Sequence, residues 1–129
     1  MNSINFKRVI AASLDEAVVR VTAALAAQGF GILTRIDMHS KIKEKIGKDI
    51  IPTVILGACN PTLAYEAYGM NSDVAGLLPC NAVLRELAPG KISVELTAPS
   101  AMMRVLGDDK LVQLAAGADQ QVELALAWV

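Results

Sequence analysis

Apolar residues recur along this chain with two different periods. Near the start, Ile4, Phe6 and Ile10 take even positions against Asn5 and Lys7, an alternation that predicts a strand. Ser13-Leu14-Asp15-Glu16 follows as a capping box, in which the Ser13 hydroxyl accepts from the Glu16 amide. Leu14, Val18, Val21 and Leu25 are then spaced as one stripe of a helix, and Gly29 supplies its left-handed stop. The alternation returns in Phe30, Ile32, Thr34 and Ile36, a second strand. Asp37 or Ser40 can cap a short helix with Met38, Ile42 and Ile46 on one face, closed by Gly47. Lys41, Lys43, Lys45 and Lys48 face away from that stripe and read as a solvated surface.

Residues 50 to 58 predict a third strand of a different kind. Val54, Ile55 and Leu56 are consecutive, so both of its faces should be covered. Asn60-Pro61 reads as an N-cap followed by proline in the first helical position. That helix carries Leu63, Ala64, Ala67 and Tyr68. A further turn opens at Asn71 or Ser72 and stops at Pro79. Residues 82–87 and 92–97 are strands four and five, with Pro89-Gly90 as the turn between them. Ile92, Val94 and Leu96 alternate with Ser93, Glu95 and Thr97, which predicts one wet face. Pro99 starts a short helical turn with Met102, Met103 and Leu106. Asp108 caps a last helix lined by Leu111, Leu114, Ala115, Ala118, Val122 and Leu126. Gly117 inside that helix weakens it and predicts a close contact there, and Trp128 is expected to pack the helix end or meet a partner. The order is strand, helix, four more strands with short helices inserted between the third and fourth, then a long helix. It predicts an α+β fold, an antiparallel sheet with helices packed on one face.

The length, 129 residues, fits one domain over 1–129 and suffices for a real core. A composition 53% hydrophobic and 19% charged excludes disorder and leaves apolar surface for a subunit interface. Net charge is −1 and aromatics are few, so no nucleic-acid partner is expected. The start, MNSINFKRVIAAS, has no long apolar run, and no signal peptide or membrane span is expected. The expectation is a cytoplasmic protein whose two cysteines are free thiols.

Both cysteines are followed by asparagine: LGACNP contains Cys59-Asn60, and LLPCN contains Cys80-Asn81. Cys59 ends a strand before a helix start, and Cys80 follows a helix stop and begins a strand. If strands three and four are antiparallel neighbours, the two converge at one edge. Three readings stand. A thiol near helix N-terminal amides has a lowered pKa, which suits redox chemistry. Two thiolates are half of a tetrahedral metal set, although no CxxC or HxxxH spacing supports one and no metal site is expected. Cysteine is also a small core hydrophobe. Lone His39 reads as a surface or helix-terminal residue, Met102 and Met103 as filler, and the acids Asp15, Glu16, Asp108 and Asp109 as helix-start charges. Phosphate-loop, dinucleotide and nucleophile-elbow motifs are absent.

The segments GFGILTRIDM (Gly29 to Met38), KIKEKIG, ILGACNPTLAYEA and LLPCNAVLRE (Leu77 to Glu86) resemble the DUF302 family, a bacterial and archaeal domain of unknown function. The resemblance spans nearly the whole chain, and the two Cys-Asn blocks are its most specific part. It implies a β-α-β(4)-α fold like a half of the TATA-binding protein, and a homodimer. It carries Gly29, Phe30, Asp37, Lys45, Gly57, Cys59, Asn60, Pro61, Pro79, Cys80 and Asn81 over to this sequence, and it brings no reaction or cofactor. Asp37 either turns toward the Cys-Asn edge or caps the next helix. The functional expectation is a pocket walled by Cys59, Asn60, Cys80 and Asn81, with Asp37, that binds a small ligand, a metal or a thiol-reactive species. A redox enzyme using Cys59 and Cys80 is one rival, and a structural domain with core cysteines is another.

Overall fold

The computed structural model describes residues 4–129; the expectation of no leader rests partly on residues 1–3, outside that range. Five strands, β1 (Asn5–Ala11), β2 (Gly31–Asp37), β3 (Thr53–Cys59), β4 (Cys80–Ala88) and β5 (Lys91–Thr97), form one sheet in the order β1-β5-β4-β3-β2. Every neighbouring pair is antiparallel. The long helices α1 (Leu14–Ala27) and α5 (Asp109–Ala127) supply Val21, Leu25, Val122 and Leu126 to a core shared with Val54, Leu56, Leu84, Ile92, Val94 and Leu96 of the sheet. The fold is α+β, as the element order predicts.

Local chemistry places most boundaries. Ser13 Oγ accepts from the Glu16 amide at 3.1 Å and opens α1. Gly29, at φ +86, follows α1 in the left-handed region where a side chain is disfavoured. Asp108 accepts from the Lys110 amide at 3.0 Å and opens α5. Helix α2 (Met38–Ile46) ends at Gly47, and its lysines are exposed, two of them paired with Glu44 and Asp49. Helix α3 (Pro61–Met70), a 3-10 turn over Ser72–Leu77 and the short α4 (Pro99–Met103) complete the order. The bond between Leu78 and Pro79 is cis.

Several expectations are corrected. Phe30 lies before β2, buried in the core, and β2 itself is a largely exposed edge strand. Its alternation breaks at a bulge between Ile32 and Thr34, which pair with Ala58 and Gly57, so Leu33 is extra and faces solvent. Strand β3 begins at Thr53 rather than at position 50, because Pro52 cannot donate to a ladder; Ile50 and Ile51 are exposed. The wet face predicted for β5 is not wet. Ser93, Glu95 and Thr97 are buried, since β5 is central and its neighbours' side chains close over it. There Glu95 receives Asn5 Nδ2 at 3.0 Å and the Arg85 guanidinium. Trp128 does not pack the helix end; it is 79% exposed. Gly117 makes no close contact, and a Cβ built there meets nothing within 4 Å.

Candidate functional site

The two Cys-Asn segments arrive at the same edge of the sheet. Ala58 pairs with Cys80, so Cys80 opens β4 beside the end of β3, and Cys59 follows Ala58 immediately and pairs with Gly31. The chain leaves β3 through Asn60, whose Oδ1 accepts from the Leu63 amide at 3.1 Å and starts α3, with Pro61 in the first turn. The positive φ of Gly29 brings that residue against the same asparagine: a Cβ on Gly29 would stand 3.5 Å from Asn60 Nδ2. The Cys-Asn-Pro sequence therefore has a plain local cause, which is to turn a strand into a helix within one residue.

Both thiols are free, and both line one cavity of about 20 Å³ beneath α3. Its walls are otherwise almost wholly apolar, with Phe30 from the sheet side, Leu63 from α3, Met103 from α4 and Leu111 from α5. The cavity lies on a seam. On one side is the main core; on the other is a small separate cluster of Ala67, Val74, Met103, Leu111 and Ala115 contributed by α3, the 3-10 turn, α4 and α5.

Burial, first, and then the neighbouring Cys59 and Asp119 push the Cys80 thiol up from 9.0 to about 11. At neutral pH Cys80 is therefore a protonated thiol, poor as a nucleophile. Cys80 opens a strand and precedes no helix, so no helix N-terminal amides offset its burial. Asp119, on α5, is a residue the sequence pattern does not single out. Its carboxylate accepts from the Ser100 amide at 2.9 Å and from the Ser100 hydroxyl, which ties α5 to the start of α4. The one signal for it is an acid interrupting the buried positions Ala115, Ala118 and Val122.

The remaining candidates are scattered. Asn81 pairs with Gly57 on the sheet face turned away from Ala58 and Cys80, and its side chain is exposed. It borders a second cavity of about 10 Å³ that shares Phe30, Ala58 and Cys80 with the first. Asp37 is not brought to this edge. It pairs with Val54 at the opposite end of β3, and its carboxylate meets Arg35 at 3.1 Å and makes no cap bond to α2. Lys45 is exposed on α2, also away from the thiols. His39 Nδ1 accepts from the Thr53 amide at 3.0 Å, fixing α2 to the start of β3. Among the described residues no group of three or more His, Cys, Asp or Glu side chains is placed to hold a metal ion.

A family model described as "Domain of unknown function DUF302" matches residues 6–129. The chain belongs to the DUF302 family. A crystal structure of an uncharacterized conserved DUF302 protein from Bacillus stearothermophilus is similar to it, with a TM-score of 0.89 at 25% identity, covering 98% of each chain. No curated protein matches the chain. The family and its solved structure account for the fold, and neither description names an activity.

Proposed function

We propose that this DUF302 domain is a binding module for a small ligand, received at the seam between the sheet edge and the α3–α4–α5 cluster. The observation that supports it is the apolar cavity lined by both Cys59 and Cys80. A seam between two hydrophobic clusters opens more readily than the middle of one, because fewer contacts must be lost. A ligand can therefore enlarge it by lifting the smaller cluster off the sheet. The walls select an uncharged apolar or soft group, since a charge there would be desolvated without a partner. The protonated Cys80 weighs against the rival redox enzyme, which needs a ready thiolate. Asn60 belongs to this site as the residue that holds α3 in place, and Asn81 borders it through the second cavity.

In this reading the domain acts as a cytoplasmic homodimer. Exposed apolar residues such as Leu33 and Trp128 are surface that a second copy would cover. No helix of the described residues is long and apolar enough to cross a membrane. Light scattering that returns a monomer at all concentrations would remove the dimer from the reading.

The test is a titration with n-octanol followed by NMR. Saturable shifts centred on the Met103 methyl, Cys59 and Cys80, with slower thiol modification in the bound state, are expected. Shifts that never saturate, or that spread evenly over the surface, would leave the cysteines as core residues. Rapid disulfide formation at neutral pH would instead revive the redox enzyme.

A further inference from the structure

A second concavity lies beside the cavity. It is a groove of about 180 Å³ lined by α3 and α5, and it shares Asn60, Leu63 and Leu114 with the cavity. From Leu111 to Gln121 the shared wall of α5 is about 15 Å long at the helical rise. The character of the wall changes along that path. The inner end is apolar and holds the thiols; the outer end presents Thr62, Glu66 and Gln121. Among the described residues lining the groove, Glu66 is the one charged side chain, and no ion pair found among the described residues engages it.

Gly117 points the same way. Glycine in the middle of a helix is unfavourable, and it is usually tolerated where something packs against the bare backbone. Nothing does here: a Cβ at this position would enter open space, and that space is the groove. The missing side chain keeps the groove open along the face of α5.

We propose that the ligand is an amphipathic amine: an apolar body lying in the α3–α5 groove with its tip toward Cys59 and Cys80, and an ammonium head at Glu66. This rests on the binding reading above and adds the ligand's charge, its orientation and the residue that selects it. An anionic head would meet the Glu66 carboxylate with no lysine or arginine on the groove wall to offset it.

The test compares n-octylamine, n-octanol and n-octanoate at pH 7 by calorimetry. Octylamine should bind about 2–5-fold more tightly than octanol, the range of a solvent-exposed ion pair, and octanoate most weakly. Glu66→Gln should make amine and alcohol equal. Gly117→Leu should abolish binding of all three while leaving the melting temperature at or above that of the parent, since the position is exposed and helical. Octanoate binding as well as octylamine would overturn the proposal. So would an amine preference that survives Glu66→Gln, or undiminished binding to Gly117→Leu. Failure of octanol itself to bind would take the cavity reading down as well. Octanol binding without any amine preference would remove this inference alone.

Discussion

The Asp119 carboxylate holds the Ser100 amide at 2.9 Å and also accepts from the Ser100 hydroxyl, across 19 positions of chain. Ser100 is only 4% exposed, so those donors have no water to turn to. Asp119→Ala should cost about 1.5–3 kcal/mol, the worth of charge-assisted bonds together with the unmet donors. Urea denaturation measures it. Because Asp119 is also one of the charges that raise the Cys80 pKa, the same variant should titrate Cys80 at lower pH. A stability loss below about 0.5 kcal/mol would show that the tie contributes little, as for an ordinary surface substitution.

Cys80 makes stability depend on pH in the alkaline range. Its folded pKa lies above its unfolded value, about 11 against 9.0, so the unfolded chain releases the proton first. The contribution is fully present below pH 9 and is lost as pH rises toward 11. Discounted for partial exposure, the loss should be roughly 1–2 kcal/mol. The difference between the parent and Cys80→Ala, followed from pH 8 to 11, isolates it from lysine and tyrosine titration. Parallel curves would show that Cys80 is not perturbed.

Asn60 separates a structural role from a binding one. Its Oδ1 caps α3, so Asn60→Ala should cost about 1 kcal/mol while Asn60→Asp keeps the cap. Thermal melts should rank the variants in that order. Equal losses in both would mean that the side-chain amide, rather than its oxygen, is what the fold requires.

Gly57 is fixed by a close approach. A Cβ there would collide with the Thr34 hydroxyl and stand 2.7 Å from Cγ of Pro79, a ring that cannot swing aside. Gly57→Ala should therefore destabilise the domain by about 1–3 kcal/mol, as overpacking does. A melting temperature unchanged by the substitution would show that the β3–β4 edge yields easily.

Which parts of this were legible in the chain follows from the range of the forces involved. Ser13, Asn60 and Asp108 cap the helices they precede because a cap is a contract between residues two or three apart. Ile92, Val94 and Leu96 face the core because strand alternation has a period of two. The convergence of Cys59 and Cys80 on one edge could be read conditionally, given an antiparallel β3–β4 pair. Sequence by itself thus determined the element order, the α+β class, the caps and the edge at which to look. The rest depended on neighbours distant in sequence. Only the sheet order made β5 central and closed Glu95 over by Asn5 and Arg85, and only the bulge sent Leu33 to solvent. Only the packing of α3 against α5 turned Gly117 from an expected contact into the floor of a groove. The pKa of Cys80 was likewise a tertiary property. It is set first by burial, then by Cys59 and by Asp119, which lies 39 positions further along the chain and is brought near by folding (119 − 80 = 39).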